Sequence, residues 1–129
     1  METFGRHGDR IQALSGGDFL RAVGALRPSF RGWDADGRKV VALLFKPEET
    51  VEFLVAALAA ISEGFTIVPL YPNWPAETQL AYLRAYKLRA LAFGEGMRAR
   101  VEEWRHEDIL RRIPVGVRPG PDAGNGGAL

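Results

Sequence analysis

Residues 39–75 read KVVALLFKPEETVEFLVAALAAISEGFTIVPLYPNWP, and their order is strand, helix, strand and the start of a second helix. The first run, Val40-Val41-Ala42-Leu43-Leu44-Phe45, is apolar without alternation. A strand of that kind needs cover on both faces, as in a parallel sheet flanked by helices. The next segment, about 48–63, is apolar nearly all round through Val51, Phe53, Leu54, Val55, Ala57, Leu58 and Ile61, which predicts an inner helix of a thick structure. Gly64 ends that helix, and Phe65-Thr66-Ile67-Val68 returns as a second strand.

Outward from this stretch the same grammar continues. Asn73-Trp74-Pro75-Ala76-Glu77 repeats the Pro-then-acid opening of Pro47-Glu48-Glu49, so a helix is expected over 75–89, with Leu80, Leu83 and Tyr86 inward. Residues 90–93 form a third strand, and Met97, Val101 and Trp104 mark the buried side of a last helix from about 96 to 105. Upstream, Ile11-Gln12-Ala13-Leu14 reads as a strand and Ser15-Gly16-Gly17-Asp18 as a turn with Asp18 as helix cap. Phe19, Val23, Leu26 and Phe30 then follow at helical spacing, and Trp33–Gly37 is a polar loop. The expected architecture is α/β: a Rossmann-like βαβαβ parallel sheet of three strands (40–45, 65–70, 90–93) with right-handed helical crossovers. Residues 1–112 make up this domain. Residues 113–129, rich in Gly and Pro, have too few apolar groups to offset ordering entropy and are expected as a disordered tail.

Length and composition bound the function. A chain of 129 residues holds one domain at most, and can bury roughly 65–70% of its unfolded surface. A formal net charge of +1, from 17 basic and 16 acidic residues, gives no reason to expect nucleic acid or an anionic membrane as partner. The absence of Cys excludes disulfides, thiolate catalysis and Cys-based zinc sites. The apolar helix near 51–61 is shorter than the ~20 residues of a membrane span. Residues 1–6 lack the apolar stretch of a secretion signal. A cytoplasmic location is expected.

Beyond these local readings, the ordered set "VALL…PE…EFLVAALAA…G…VPLYP…P" resembles the amino-terminal region of the adenylate-forming enzymes, the acyl-CoA synthetase and AMP-dependent ligase superfamily. Phe4-Gly5-Arg6-His7-Gly8-Asp9-Arg10 is similar to the opening phrase of that family. The likeness runs over roughly the first hundred residues, with Gly64, Val68-Pro69-Leu70 and Pro72 its most telling parts. It implies an incomplete piece of a larger adenylate-forming amino-terminal domain, whose sheet takes further strands from later sequence. It also implies fatty acid or related metabolism. In complete members, ATP with Mg and a carboxylic acid give an acyl-adenylate, and the acyl group then passes to the thiol of CoA or a carrier protein. The Ser/Thr/Gly-rich ATP loop of the family has no counterpart here, so catalytic, cofactor-binding and metal residues are all expected to be none in this chain. The expected partners are the missing remainder of a ligase or a second copy, because a truncated sheet leaves an open edge and a bare apolar helix face. Pro72-Asn73-Trp74-Pro75 departs from the family's usual small or basic residues, which leaves fatty-acid, aromatic-acid and succinylbenzoate activators open.

Several constellations compete for chemistry. Gly94-Glu95-Gly96-Met97-Arg98-Ala99 fits the G-x-G-x-x-A dinucleotide fingerprint and supports the alternative of a small nucleotide-binding domain. Against it, Glu95 would set a negative charge beside a pyrophosphate, and a plain turn opening a helix needs the same glycines. His106 with Glu102, Glu103, Glu107 and Asp108 could be drawn as a metal cluster, yet reads better as a salt-bridged helix end. Lys46 ends a parallel strand where ligand sites gather, and equally serves as a surface charge. Asp34 and Asp36 occupy a turn and suit local backbone bonds. Tyr71, Trp74, Tyr82 and Tyr86 could line an acyl pocket, but more simply pack a Pro-rich loop on a helix. Ser15, Ser29 and Ser62 lack a neighbouring base. A non-catalytic interaction module, or half of a split ligase, is the remaining alternative.

Overall fold

The computed structural model describes residues 15–31, 38–105, 107, 109 and 111–116. The expected strand at Ile11–Leu14, the Trp33–Gly37 loop, His7, His106 and residues 117–129 lie outside them. The elements are α1 (Gly16–Leu26) with a 3-10 turn (Arg27–Ser29), β1 (Val40–Leu44), α2 (Thr50–Ser62), β2 (Thr66–Leu70), α3 (Ala76–Ala85), β3 (Ala90–Gly94), a 3-10 turn (Glu95–Met97), α4 (Arg98–Glu103) and β4 (Arg111–Val115).

The strands form a parallel sheet in the order β2-β1-β3-β4. The expectation of a parallel α/β layer holds, and the sheet gains a fourth strand. The unbroken apolar run of β1 is explained by the two cores it divides. Val41, Leu43 and Phe45 meet Ala56, Ala57, Ala59 and Ala60 of α2, whereas Ala42 and Leu44 meet Leu83 of α3 and Val101 of α4. β3 splits the same way: Ala90 and Ala92 join the α2 side, Leu91 and Phe93 the other. Small residues facing one another on β3 and α2 let the helix lie close on the sheet.

β4 corrects the expected tail. Ile113 and Val115 are buried in the α2-side core, so order persists past residue 112. Its sequence, Arg-Arg-Ile-Pro-Val, carries too little local strand signal because its support comes from elsewhere. Arg111 donates to the Ser29 carbonyl (2.8 Å), and Arg112 to the carbonyls of Ile109 (2.9 Å) and Trp104 (2.8 Å). Pro114 is tolerated since, among the described residues, β4 is an edge strand with an unpaired side.

Helix ends also differ from expectation. Ser15, not Asp18, caps α1: its hydroxyl accepts from the Asp18 amide at 3.0 Å, and Asp18 answers at 3.5 Å to the Ser15 amide. α2 starts at Thr50, with Pro47 set back in a preceding turn, whereas Pro75 directly precedes α3. The two strand-to-helix joins are therefore not alike; the repeated chemistry is at the far ends. After α2, Phe65 donates to Ala60 and Gly64 to Ile61, both at 2.9 Å, with Gly64 at φ +88°. After α3, Leu88 donates to Leu83 (2.9 Å) and Lys87 to Arg84 (3.2 Å), with Lys87 at φ 53°. Both are Schellman closures. The second uses Lys where Gly is usual, which is why the sequence pattern overran it to residue 89.

Glu63 ties α1 to the end of α2 by accepting from Arg27 (2.8 Å) and Arg31 (3.2 Å). These hydrogen bonds, Arg27 first, hold its carboxyl below the ordinary value of 4.5. Because the folded value is depressed, the stabilisation is present above the unfolded value and is lost as pH falls through the folded one. The urea midpoint of the wild type should exceed that of Glu63→Gln near neutral pH. The gap should close in acid below about pH 4.5; a gap unchanged with pH would refute the tie.

The α2 helix is not buried all round. Its sheet-facing residues are covered, but Leu54, Leu58 and Ile61, at i, i+4 and i+7, are 44%, 44% and 52% exposed. No helix among the described residues is long and apolar enough to cross a membrane.

Candidate functional site

In open α/β sheets, ligands gather beyond the carboxyl ends of the strands, where neighbouring connections depart in opposite directions. Here that point lies between β1 and β3, since β1 connects outward to β2 and the chain returns to β3 on the other side. A cleft of about 520 Å³ opens there, lined among others by Lys46, Pro72, Asn73, Gly96, Arg100 and Glu103.

Glu49 closes the floor beside it. One carboxylate oxygen accepts from the Lys46 amide and the other from the Gly96 amide, each at 2.8 Å. The residue is only 9% exposed. It stands just before α2 yet makes no side-chain cap to that helix, because its carboxylate is turned across the sheet. The glycines make room for it. A Cβ at Gly94 would fall 2.3 Å from the nearer Glu49 oxygen, and one at Gly96 2.8 Å from Lys46 Cδ. The Lys46 stem thus lies over Gly96 while the residue as a whole is exposed.

Gln79 and Arg100 brace the cleft wall. Gln79 is fully buried; its amide nitrogen donates to the Tyr71 carbonyl (2.7 Å) and its oxygen accepts from Arg100 (3.1 Å). Arg100 also donates to the Trp74 carbonyl at 3.2 Å. The guanidinium pins the β2–α3 loop, Tyr71–Pro75, to α4. Gln79 and Arg100 do not stand out in the sequence, and Glu49 does so only as the acid of a helix opening, since the Gln79–Arg100 and Glu49–Gly96 contacts join residues distant along the chain.

Gly94 and Gly96 do sit at a strand-to-helix turn, but the place a phosphate would take in a dinucleotide site is filled by Glu49. Glu95 pairs with Arg98 (2.7 and 2.9 Å), whose hydrogen bonds lower its carboxyl, and Arg98 also lies 5.6 Å from the Phe93 ring. Glu107 accepts a two-pronged pair from Arg84 (3.1 and 2.8 Å), so it is spent on an ion pair. Asp108 and His106 lie outside the described residues, as do Asp34 and Asp36. Tyr71, Trp74, Tyr82 and Tyr86 form a chain of ring contacts at 5.2, 5.7 and 4.7 Å between the loop and α3. Tyr71 and Tyr86 are 66% and 57% exposed, so the group packs a loop rather than enclosing a pocket. Ser15 is a helix cap, and Ser62 donates to the Ala59 carbonyl at 2.9 Å. The cleft at this strand end is lined by charges of both signs, Lys46 and Arg100 beside Glu48 and Glu103, and presents no nucleophile beside a base among the described residues.

No family profile and no curated protein sequence matches the chain. Among solved structures it is similar to the N-terminal domain of FACL13 from Mycobacterium tuberculosis, known from an inhibitor-bound crystal structure. The TM-score is 0.57 at 19% identity, covering 75% of this chain and 24% of that one. It is also similar to IdnL7, with a TM-score of 0.52 at 21% identity, covering 79% of this chain and 22% of that one. The chain thus spans about a quarter of the length of these structures. The likeness is one of fold: the chain has a parallel α/β fold that recurs within a part of each of these longer chains.

Proposed function

We propose that this chain is the leading portion of an acyl-CoA synthetase-like ligase that activates a carboxylic acid, in the cytoplasm and in fatty acid or related metabolism. Its work is to supply scaffold. ATP and Mg would be held by residues of the remainder, and the acyl-adenylate would form there. The observation that carries this reading is the bare α2 stripe of Leu54, Leu58 and Ile61 on a sheet whose fold recurs within much longer chains. A helix that packs on a sheet with one side and shows a second apolar stripe outward is built to be covered on both.

The test is complementation. The chain alone, given ATP, Mg and a panel of fatty and aromatic acids, should release no pyrophosphate. Mixed with an acyl-CoA synthetase lacking its matching leading segment, it should restore pyrophosphate release. Release by the isolated chain, or no rescue by a folded chain, would overturn the proposal. Leu58→Glu should lower folding stability by only about 1 kcal/mol, since Leu58 is 44% exposed and loses partial burial alone. It should abolish rescue, because the charge would be desolvated in the contact. Equal rescue by this variant would remove α2 from the interface.

The interaction-module reading draws on the same stripe and differs in outcome: binding to a second polypeptide without pyrophosphate release. The nucleotide-binding reading of Gly94–Ala99 is disfavoured by the Glu49 carboxylate lodged in that turn.

A further inference from the structure

We infer that the crevice between the ends of β1 and β3 is an anion-binding site whose anion is internal: Glu49 occupies it, and a small oxyanion such as phosphate can enter only when that side chain is withdrawn. This crevice is formed within the chain itself, whether or not the chain is part of a ligase. Two backbone amides from separate strand-end loops, Lys46 and Gly96, converge on one carboxylate at 2.8 Å each. Amides aimed at a common point are the chemistry by which loops hold phosphates.

The space is also shaped for an anion. Gly94 contributes no side chain, and any Cβ there would overlap the carboxylate, at 2.3, 2.5 and 2.6 Å from Oε1, Cδ and Oε2. Gly96 likewise leaves room against Glu49 Oε2 (3.2 Å) and the Lys46 stem. Removal of the carboxyl would leave a recess with two inward N–H donors and an ammonium-bearing side chain running past its mouth. Glu49 is itself 91% shielded from solvent, being 9% exposed, so the site it fills is a built one rather than a chance surface contact.

The internal carboxylate competes at a very high effective concentration, being tethered to the chain. The wild type should therefore ignore phosphate added at millimolar levels. Withdrawal of Glu49 by a bound partner would open the crevice onto the adjoining cleft, coupling partner binding to anion binding.

The experiment follows the backbone amide resonances of Lys46 and Gly96 during titration with inorganic phosphate. In the wild type both should stay still, and both should show scalar coupling across the hydrogen bond to the Glu49 side-chain carboxyl carbon. In Glu49→Gly both should move together and saturate, with at least a tenfold gain in apparent phosphate affinity over the wild type. Glu49→Gln, which keeps the bulk but offers one acceptor, should give a smaller gain and serves if the glycine variant fails to fold. Saturable shifts in the wild type, absence of the coupling, or a folded variant whose amides do not respond would each overturn the inference.

Discussion

Leu91→Ala should lower the folding free energy by about 3 kcal/mol, within the range for emptying a buried leucine site. Leu91 has no exposed surface and sits in β3, with β1 on one side and β4 on the other. It joins Leu44, Leu83, Leu88, Phe93, Val101 and Trp104 in the core on the α3 and α4 side. Truncation loses the transfer free energy of the removed atoms and leaves a cavity. The neighbours cannot collapse into it easily, because backbone pairing holds them on both sides. In urea the midpoint should fall with little change in slope, whereas Leu91→Met, which nearly conserves volume, should lose less than about 1.5 kcal/mol. Equal effects of the two substitutions would show that packing at this position is not what holds β3.

Phe30→Ala should be as costly, about 3–5 kcal/mol, and its effect should be spatially selective. No residue of α1 is fully buried. Val23 and Leu26 only lean against the core, while Phe30, just past the 3-10 turn, is 1% exposed and meets the Phe65 ring edge-on at 5.4 Å. Such an aromatic pair adds roughly 0.5–1.5 kcal/mol beyond area burial. The ring is thus the anchor by which α1 is fastened to the α2 side of the sheet, with Glu63 a secondary tie at the surface. Hydrogen exchange should quicken first at 16–26 in the variant, while β1 and β3 keep most of their protection. Uniform loss of protection would mean that α1 belongs to the same cooperative unit as the sheet.

These two substitutions probe opposite faces of one layer, and the layer was legible early. Residues 40–45 carry apolar side chains on both strand faces, and residues 97, 101 and 104 recur at helical spacing; each signal lies within one element. The family resemblance was legible for the same reason, since its motifs follow the order of the elements. The limits of α3 were not, because Lys87 adopts a left-handed backbone that glycine ordinarily marks. A bare apolar helix face was expected, but not that it would be the side of α2 carrying Leu54, Leu58 and Ile61. Leu54 and Leu58 look as buried as Val55 until the positions of β1, β3 and α1 determine which side is covered.

The site was the least legible. Lys46 and the Gly94–Gly96 turn were visible as strand-end features, but the residue that joins them was not. Glu49 meets Gly96 across 47 positions of sequence, and Gln79 meets Arg100 across 21. No local pattern encodes such meetings.

From the linear order of residues alone came the α/β class, the parallel direction of the strands, the lack of Cys in these 129 residues and the likeness in fold, because each depends on periodicity or residue type. That Arg111–Val115 forms a sheet edge among the described residues, that Glu49 lodges between two strand ends, and which side of α2 is left uncovered were decided once the chain was packed. The physical reason is common to all three: an edge strand, a carboxylate bridge and a bare face are defined by neighbours that the backbone brings together from far away, and their free energy belongs to the contact rather than to either partner.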